Sequence, residues 1–368
     1  MKVLIRTDAS IRIGTGHVMR CLTLAGALTK SGHDVEFICR ALPGHLCDLI
    51  AQRGYSVHRL PDTTLGHAHE ANRLAGRWLG ASIADDLHDT SRLLGRSSAG
   101  CDWLIVDHYW LDASWEEPMR KMTGNIMVID DLADRIHCCD LLLDTGYFAN
   151  ASERYGHLVP FDCTTLLGPR YLLLRPEFLA ARNLQATRDG RIRRIFVFFG
   201  GVDRTNETAK TLRALGSLKH HDLEIDVVVG QANPCMNELE YLATNQVNCR
   251  LHDNVQDMAS LMLRADLAIG AGGTTTWERL YLGLPTLTIM VAGNQILQTE
   301  SLERERCLEN LGWYADVTPE SIARKINQLV LDPEYLIAMS TRGLQLTSRT
   351  KGPDAVVARM EERSRVCA

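Results

Sequence analysis

Short apolar runs recur along the chain, and segments with helical periodicity separate them. The first run is Val3-Leu4-Ile5. Between residues 17 and 30 the apolar positions return at helical spacing, which predicts a helix, and Gly32 lies where it can end that helix. Residues 35–39 form the next apolar run. The opening of the chain therefore predicts a strand, a loop, a helix and a second, parallel strand.

The same alternation continues on either side of a polar stretch. Further apolar runs predict strands at residues 55–58, 103–107, 125–129, 141–143, 195–199, 223–229, 266–269 and 285–289. The segment from Pro319 onward predicts helices. Continuous apolar strands that alternate with helices are typical of parallel sheets covered on both faces.

We therefore predict an α/β protein built from two Rossmann-like parallel-sheet domains that face a cleft. The N-terminal domain is expected at residues 1–182, a linker at 183–194, and the C-terminal domain with the terminal helices at 195–368. In open α/β sheets, ligands bind outside the carboxyl ends of the strands. The loops that follow the predicted strands are thus the places to look for chemistry.

The composition narrows the class of protein. Of the 368 residues, 45% are hydrophobic and 23% are charged, as in ordinary soluble globular proteins. The 40 Lys and Arg residues against 45 Asp and Glu residues leave a net charge of −5, so no basic surplus predicts nucleic-acid binding. The 11 cysteines include no C-x-x-C pair, which favours reduced thiols over a zinc site. Because the N-terminus lacks a secretory signal and no apolar run is long enough for a membrane span, we expect a cytoplasmic protein without stable membrane insertion.

The loop after the first predicted strand runs from Asp8 to His17. Within it, Gly14-Thr15-Gly16 allows the backbone to approach a ligand closely. His17 lies in the first turn of the predicted helix, where the helix dipole favours the neutral imidazole, so it is expected to accept a proton near neutrality. The glycine spacing is not G-x-G-x-x-G, which disfavours a dinucleotide site. The alternative is that His17 is a capping or hydrogen-bonded core residue.

A second glycine-rich loop follows the strand predicted at residues 266–269. Gly273-Thr274-Thr275-Thr276 opens a helix with small residues and hydroxyl groups, a pattern that predicts an anion site suited to a diphosphate. The loop lacks the lysine of a P-loop, which excludes a Walker-type ATPase. Glu278, one turn further on, is a candidate acceptor for ribose hydroxyls. The alternative is a tight turn with a capping threonine.

Three further strand ends carry candidate residues. Asp107-His108-Tyr109 is expected to face the cleft, with His108 as a second candidate base. Gly200-Gly201 can lie against a phosphate. Asn294-Gln295 offers amides to sugar hydroxyl or acetamido groups.

The motifs around these residues resemble one enzyme family. They are residues 5–10, 13–22, 106–109, 129–135, 167–171, 174–178 and 199–203. Together they resemble the UDP-2,4-diacetamido-2,4,6-trideoxy-β-L-altropyranose hydrolases of pseudaminic acid synthesis. Residues 253–295 are also similar to the broader glycosyltransferase-B group, which includes the peptidoglycan N-acetylglucosaminyl transferase. One departure follows Asp144, where the resemblance predicts Gln-Asn and the chain has Thr145-Gly146.

The resemblance implies a glycosyltransferase-B fold and a hydrolase that acts on a UDP-linked diacetamido sugar, with a link to flagellin glycosylation. It makes His17 the catalytic base and Glu278 and Asn294 ligand-binding residues. The complete set expected to bind substrate is Asp8, Gly14, Thr15, Gly16, Asp107, Tyr109, Arg175, Gly201, Asn254, Val255, Gly273, Thr274, Thr275, Thr276, Glu278, Asn294 and Gln295.

The hydrolysis of a UDP-sugar needs few catalytic groups, and this sequence offers them. UDP leaves as a stable anion, so hydrolysis at the anomeric carbon, with inversion, needs one base to activate water and not the two carboxylates of an ordinary glycosidase. No acidic or His/Cys cluster has metal-ligand spacing, so we expect a metal-independent enzyme without a cofactor. Two alternatives remain: a glycosyltransferase with a UDP-sugar donor, and a non-catalytic sugar-nucleotide-binding protein. The latter would have no use for a base at His17.

Overall fold

A computed structural model describes residues 1–62, 80–95, 100–184, 187–218, 222–230, 233–253, 255 and 257–366. The strands are β1 (Lys2–Thr7), β2 (Asp34–Arg40), β3 (Ser56–Leu60), β4 (Trp103–Asp107), β5 (Asn125–Ile129), β6 (Leu141–Asp144), β7 (Thr164–Leu167), β8 (Arg194–Phe198), β9 (Glu224–Val229), β10 (Cys249–Asp253), β11 (Leu267–Ala271), β12 (Thr286–Met290) and β13 (Glu309–Trp313).

The α-helices alternate with these strands. They are α1 (Gly16–Lys30), α2 (Cys47–Gln52), α3 (Ile83–Leu94), α4 (Ala113–Met119), α5 (Ala151–Arg154), α6 (Pro176–Ala181), α7 (Glu207–Gly216), α8 (Met236–Thr244), α9 (Met258–Arg264), α10 (Thr275–Tyr281), α11 (Ile296–Arg304), α12 (Pro319–Val330), α13 (Pro333–Leu346) and α14 (Pro353–Val366). Short 3₁₀ turns occur at Pro169–Tyr171, Arg182–Leu184 and Gly293–Gln295. Within the described ranges, every helix is too short or too polar to span a lipid bilayer.

The chain divides into two compact units. Unit 1 comprises Met1–Leu173 and Thr350–Ala368, and unit 2 comprises Leu174–Arg349. This division differs from the predicted domains in three ways. Residues 174–182, predicted to end the N-terminal domain, lie in unit 2. The segment predicted as a linker, residues 183–194, is also part of unit 2, and α14 returns to unit 1 instead of completing the C-terminal domain.

Unit 1 is built on a parallel sheet with the strand order β3-β2-β1-β4-β5-β6-β7. Its core joins the sheet to α1 and to α14, which contributes the buried side chains Val356, Val357 and Met360. The predicted apolar face of α1 is the buried one, and Gly32 follows the helix with a φ of 81°. The strand order reverses between β1 and β4, so the carboxyl ends of these two strands flank a crevice of the kind that binds ligands in open α/β sheets.

Unit 2 repeats the design with a parallel sheet in the order β10-β9-β8-β11-β12-β13. Its core is formed by the apolar residues of the central strands together with α7 and α12. Here the strand order reverses between β8 and β11. The prediction of two parallel-sheet α/β domains is confirmed.

Candidate active site

The predicted base lies at the carboxyl edge of the unit 1 sheet, where the strand order reverses. His17 is the second residue of α1, after the loop that follows β1, and Asp107 is the last residue of β4. His17 Nδ1 lies 2.6 Å from Asp107 Oδ1. His17 is only 7% exposed, and its ring meets the Tyr109 ring edge-on, with centroids 4.4 Å apart. The fold thus brings together three predicted site residues.

An arginine that the sequence reasoning did not select completes this arrangement. Arg20, one turn after His17 on α1, donates from Nε to Asp107 Oδ2 and from Nη2 to Asp107 Oδ1, both at 2.6 Å. Its Nη1 donates to Asp131 Oδ2 at 2.9 Å. Arg20 therefore holds Asp107 in a fork and joins the ends of β4 and β5.

The positively charged groups around Asp107 keep its carboxyl group ionised. Burial alone would raise the pKa of Asp107, but the attraction of Arg20 and then of His17 outweighs it and holds the pKa well below its ordinary range. A carboxylate accepts hydrogen bonds, so the proton between the pair belongs to His17 Nδ1. This tautomer leaves Nε2 as the proton acceptor, which is the arrangement that makes histidine a general base.

His108, the second candidate base, has a different set of contacts. Its Nδ1 accepts a hydrogen bond from the Trp110 backbone N–H at 3.1 Å, and its Nε2 lies 3.4 Å from Asp8 Oδ2. Burial lowers the pKa of His108, although Asp8 opposes the shift. Both ring nitrogens therefore face protein groups, and His17 is the better placed base.

Asp8 has a supporting position instead of the predicted contact with substrate. It is completely buried, and its two oxygens accept hydrogen bonds from Arg6 at 2.6 and 2.9 Å. The backbone N–H of Arg40 donates to Oδ1 at 2.7 Å. Both carboxylate oxygens of Asp8 accept hydrogen bonds from these buried donors. Asp8 therefore joins the ends of β1 and β2.

The predicted glycine loop is shaped by its own residues. The Ser10 hydroxyl accepts the N–H groups of Arg12 and Ile13 at 3.1 and 2.9 Å, and the Gly14 N–H donates to Ser10 O at 2.8 Å. Gly14 has a φ of 85°, a conformation that favours glycine. The predicted ligand residues Gly14-Thr15-Gly16 are half-buried, so part of their surface remains open to a ligand.

A second titratable group lies at the ends of β5 and β6. Burial raises the pKa of Asp144 to about 6, even though the Gly146 N–H donates to its Oδ1 at 2.7 Å. Tyr155 directs its hydroxyl at both Asp144 Oδ2 and Asp130 Oδ2, at 3.0 and 3.1 Å. This cluster is adjacent in sequence to Asp131, the partner of Arg20.

In unit 2 the predicted diphosphate loop follows β11 at the reversal of strand order. Gln295 shapes the loop, because its Oε1 accepts the N–H groups of Gly272 and Val291 at 3.2 and 3.0 Å. Thr274 is exposed and Thr275 half-buried, so both can reach a ligand. Thr276 differs from the prediction: its hydroxyl is buried and bonded to the Ala271 carbonyl and to Arg279, so it supports the loop from within.

Two predicted ligand residues of unit 2 form an ion pair. Arg175 donates from Nε and Nη2 to the two oxygens of Glu278, at 2.8 and 3.1 Å. Burial raises the pKa of Glu278, with Arg175 opposing the shift. Each carboxylate oxygen has a second lone pair, so Glu278 can still accept a hydroxyl while Arg175 fixes its orientation.

The remaining predicted residues lie at neighbouring strand ends of unit 2. Gly201 follows β8, and the backbone here is close to that of β9, since a Cβ at Gly230 would come within 2.1 Å of the Gly201 carbonyl. Asn294 is exposed after β12, and Val255 is half-buried after β10. Asn254 lies outside the described residues. No group of His, Cys, Asp and Glu in the described part of the chain has the arrangement of a metal site.

Comparison with known proteins shows which families the chain resembles. Residues 194–352 match the model of the glycosyltransferase family 28 C-terminal domain. The matched residues cover most of unit 2 and include the predicted diphosphate loop and Glu278.

Two curated relatives extend the likeness beyond that family 28 domain. The UDP-2,4-diacetamido-2,4,6-trideoxy-beta-L-altropyranose hydrolase of Campylobacter jejuni is 29% identical over 297 residues, which span 80% of this chain and 93% of that protein. A Helicobacter pylori protein named pseudaminic acid cytidylyltransferase and UDP-2,4-diacetamido-2,4,6-trideoxy-beta-L-altropyranose hydrolase is 23% identical over 271 residues, 72% of this chain and 48% of that protein. The predicted resemblance is confirmed.

A solved structure extends the fold likeness to nearly the whole chain. The spinosyn rhamnosyltransferase SpnG superposes with a TM-score of 0.67 at 19% identity, covering 98% of this chain and 100% of that one. Together with the family 28 domain, this likeness confirms the glycosyltransferase-B fold.

Three side chains at these two strand edges were not selected from the sequence: Arg20, Asp131 and the buried Arg279 of α10. Arg20 carried a signal, because it lies three residues after His17 and hence on the same helix face. Arg279 carried another, since it stands with Glu278 between Trp277 and the apolar residues that begin at Leu280. Asp131 became recognisable only through its contact with Arg20.

Proposed function

We propose that this chain hydrolyses a UDP-linked 2,4-diacetamido-2,4,6-trideoxy sugar at the anomeric carbon, releasing UDP and the free sugar for pseudaminic acid synthesis. The observation that carries the proposal is the His17–Asp107 pair at 2.6 Å, with Arg20 on the far side of the carboxylate. The named activity of the Campylobacter jejuni relative supports the choice of substrate.

The mechanism begins with a water molecule hydrogen-bonded to His17 Nε2. As the water oxygen attacks the anomeric carbon, Nε2 takes its proton, and the bond from that carbon to the diphosphate oxygen breaks. A single displacement inverts the anomeric configuration. Asp107 stabilises the imidazolium that forms, much as the buried aspartate does in a Ser-His-Asp triad.

Arg20 balances the charge of this step. An isolated buried carboxylate is costly, and the two hydrogen bonds from Arg20 compensate Asp107 before the imidazolium forms. The proton transfer then creates its positive charge beside a carboxylate whose position is already fixed. Preorganised charges of this kind need no rearrangement during the reaction.

The proposal assigns nucleotide binding to unit 2. Glu278, oriented by Arg175, accepts the ribose hydroxyls, while Gly273, Thr274 and Thr275 bind the diphosphate. UDP departs as an anion, so no general acid is needed on the leaving group. The donors of this loop stabilise the negative charge that develops there.

The test is incubation with UDP-2,4-diacetamido-2,4,6-trideoxy-β-L-altropyranose, followed in real time by NMR. We expect equimolar UDP and free sugar, with the inverted anomer formed first. The matched control is His17→Asn, which should bind UDP normally but release it at a rate lower by about 10²–10⁴. UDP release only in the presence of a hydroxyl acceptor, with a glycoside as product, would instead identify a glycosyltransferase. UDP binding with no turnover under either condition would identify a binding protein.

A further inference from the structure

Arg279 is a completely buried cation with few partners. It lies on α10 with 0% of its surface exposed. Its Nη2 donates to the Ala271 carbonyl at 2.7 Å and to the Thr276 hydroxyl at 2.9 Å. Nε and Nη1 have no hydrogen-bond partner among the described residues. A charged group in this condition is costly unless something else compensates it.

Other buried arginines of the chain are compensated within the protein. Arg6 and Arg40 are equally buried, and both donate to the Asp86 carboxylate, at 2.6 and 2.7 Å. The half-buried Arg188 has no carboxylate partner among the described residues, but each of its three guanidinium nitrogens donates to a backbone carbonyl. Arg279 has neither a carboxylate nor a full set of acceptors. Burial lowers its pKa to about 10, so it remains protonated near neutrality.

The guanidinium lies at the place where the strand order of unit 2 reverses. Gly270 of β11 pairs with Phe198 of β8, and a Cβ at Gly270 would lie 2.1 Å from Arg279 Nη1 and 2.4 Å from the Phe198 carbonyl. Glycine at position 270 thus makes room for the guanidinium against the ends of both strands. This is the crevice in which open α/β sheets bind their ligands. Through its bonds to Ala271 and Thr276, Arg279 supports the glycine-rich loop.

We propose that Arg279 is the buried counter-charge for the diphosphate of the bound ligand, acting from beneath the loop at residues 272–275. The assignment rests on the proposed nucleotide site. Arg279 is a positioning residue in this scheme: it holds the loop through Ala271 and Thr276, and its charge attracts the diphosphate through a medium of low polarity. It contributes to binding of phosphate groups and not to binding of the nucleoside.

The test compares affinities for UDP, uridine and inorganic pyrophosphate by calorimetry. Arg279→Gln keeps a hydrogen-bond donor but removes the charge, and Arg279→Lys keeps the charge. We expect Arg279→Gln to lose at least about tenfold in affinity for UDP and pyrophosphate and to bind uridine as the wild type does. Arg279→Lys should retain UDP affinity to within about threefold, a difference of less than one kcal/mol. Arg188→Gln is the matched control, because it removes a half-buried arginine of unit 2 that donates to backbone carbonyls, and its UDP-to-uridine affinity ratio should be unchanged.

Wild-type UDP affinity in Arg279→Gln would overturn the assignment. Equal losses for UDP and uridine would also overturn it, because they would indicate a purely structural role. Equal UDP losses in the Gln and Lys variants would overturn it as well, because geometry and not charge would then be decisive. The same measurements test the proposed nucleotide site separately. If the wild type binds pyrophosphate but not UDP, and Arg279→Gln weakens pyrophosphate binding, the counter-charge is supported and the nucleotide site is contradicted.

Discussion

Replacing Asp107 by asparagine tests the catalytic pair with the smallest change in shape. In the wild type, Asp107 Oδ1 faces both His17 Nδ1 and Arg20 Nη2 at 2.6 Å, and Oδ2 faces Arg20 Nε at 2.6 Å. An asparagine presents one oxygen and one NH₂ group, so the NH₂ group must face a donor of Arg20 in either orientation. If it faces the Oδ1 side, it also favours the histidine tautomer with the proton on Nε2. That tautomer cannot accept a proton from water.

The magnitude follows from these contacts. Loss of the correct tautomer and of the charge beside the imidazolium should lower kcat by about 10²–10⁴, the usual contribution of a general base. The free energy of unfolding should fall by about 2–3 kcal/mol, which is less than the 3–5 kcal/mol typical of a broken buried ion pair. The reason is that Arg20 keeps its bond to Asp131 at 2.9 Å. UDP affinity should not change.

The assay combines UDP release, UDP calorimetry and thermal unfolding of the same preparation. Asp131→Asn is the matched control, since it removes a partner of Arg20 without touching His17, and its kcat should fall by less than about tenfold. A folded Asp107→Asn enzyme with kcat within about threefold of wild type would refute the reasoning. Loss of UDP affinity in that variant would refute it too, because it would place Asp107 in nucleotide binding.

Three further expectations concern other parts of the molecule. Glu278→Ala should weaken UDP binding by about 1–3 kcal/mol in calorimetry, because a charged acceptor for the ribose hydroxyls is lost; unchanged affinity would exclude Glu278 from the nucleotide site. Activity should survive EDTA, and a loss restored by magnesium or manganese would contradict leaving-group stabilisation by the Gly273–Thr275 loop alone. Burial raises the pKa of Asp144 from 3.8 to about 6, so the wild type should lose about 3 kcal/mol of stability through this group as pH rises through that window, being most stable in this respect below 3.8. Asp144→Asn should lack this loss of stability in urea titrations at pH 4 and pH 7.5. If the stability of the variant depends on pH as that of the wild type does, the raised pKa of Asp144 is contradicted.

The central strands were predictable from sequence because each is buried on both faces. Runs such as Ile195–Phe199 and Trp103–Asp107 are continuous and apolar, which is typical of a covered parallel strand. The strands β7, β10 and β13 were not predicted. All three are edge strands, and their mixed polar sequences reflect one open side instead of a continuous apolar run.

Pairings between distant residues were the main part that sequence could not supply. His17 was selected from its loop, but its partner Asp107 is 90 residues away, and no local pattern records that distance. The return of α14 to unit 1 could not be predicted for the same reason. Its apolar face packs against α1, and the periodicity of α14 does not identify the surface it covers.

The fate of the water oxygen tests the central claim most directly. In a single turnover with the UDP-diacetamido sugar in oxygen-18 water, mass spectrometry distinguishes attack at the anomeric carbon from attack at phosphorus. If His17 activates water against the anomeric carbon, the label appears in the free sugar and UDP carries none. Label in UDP would show that the bond to phosphorus breaks, and the proposed mechanism would be wrong.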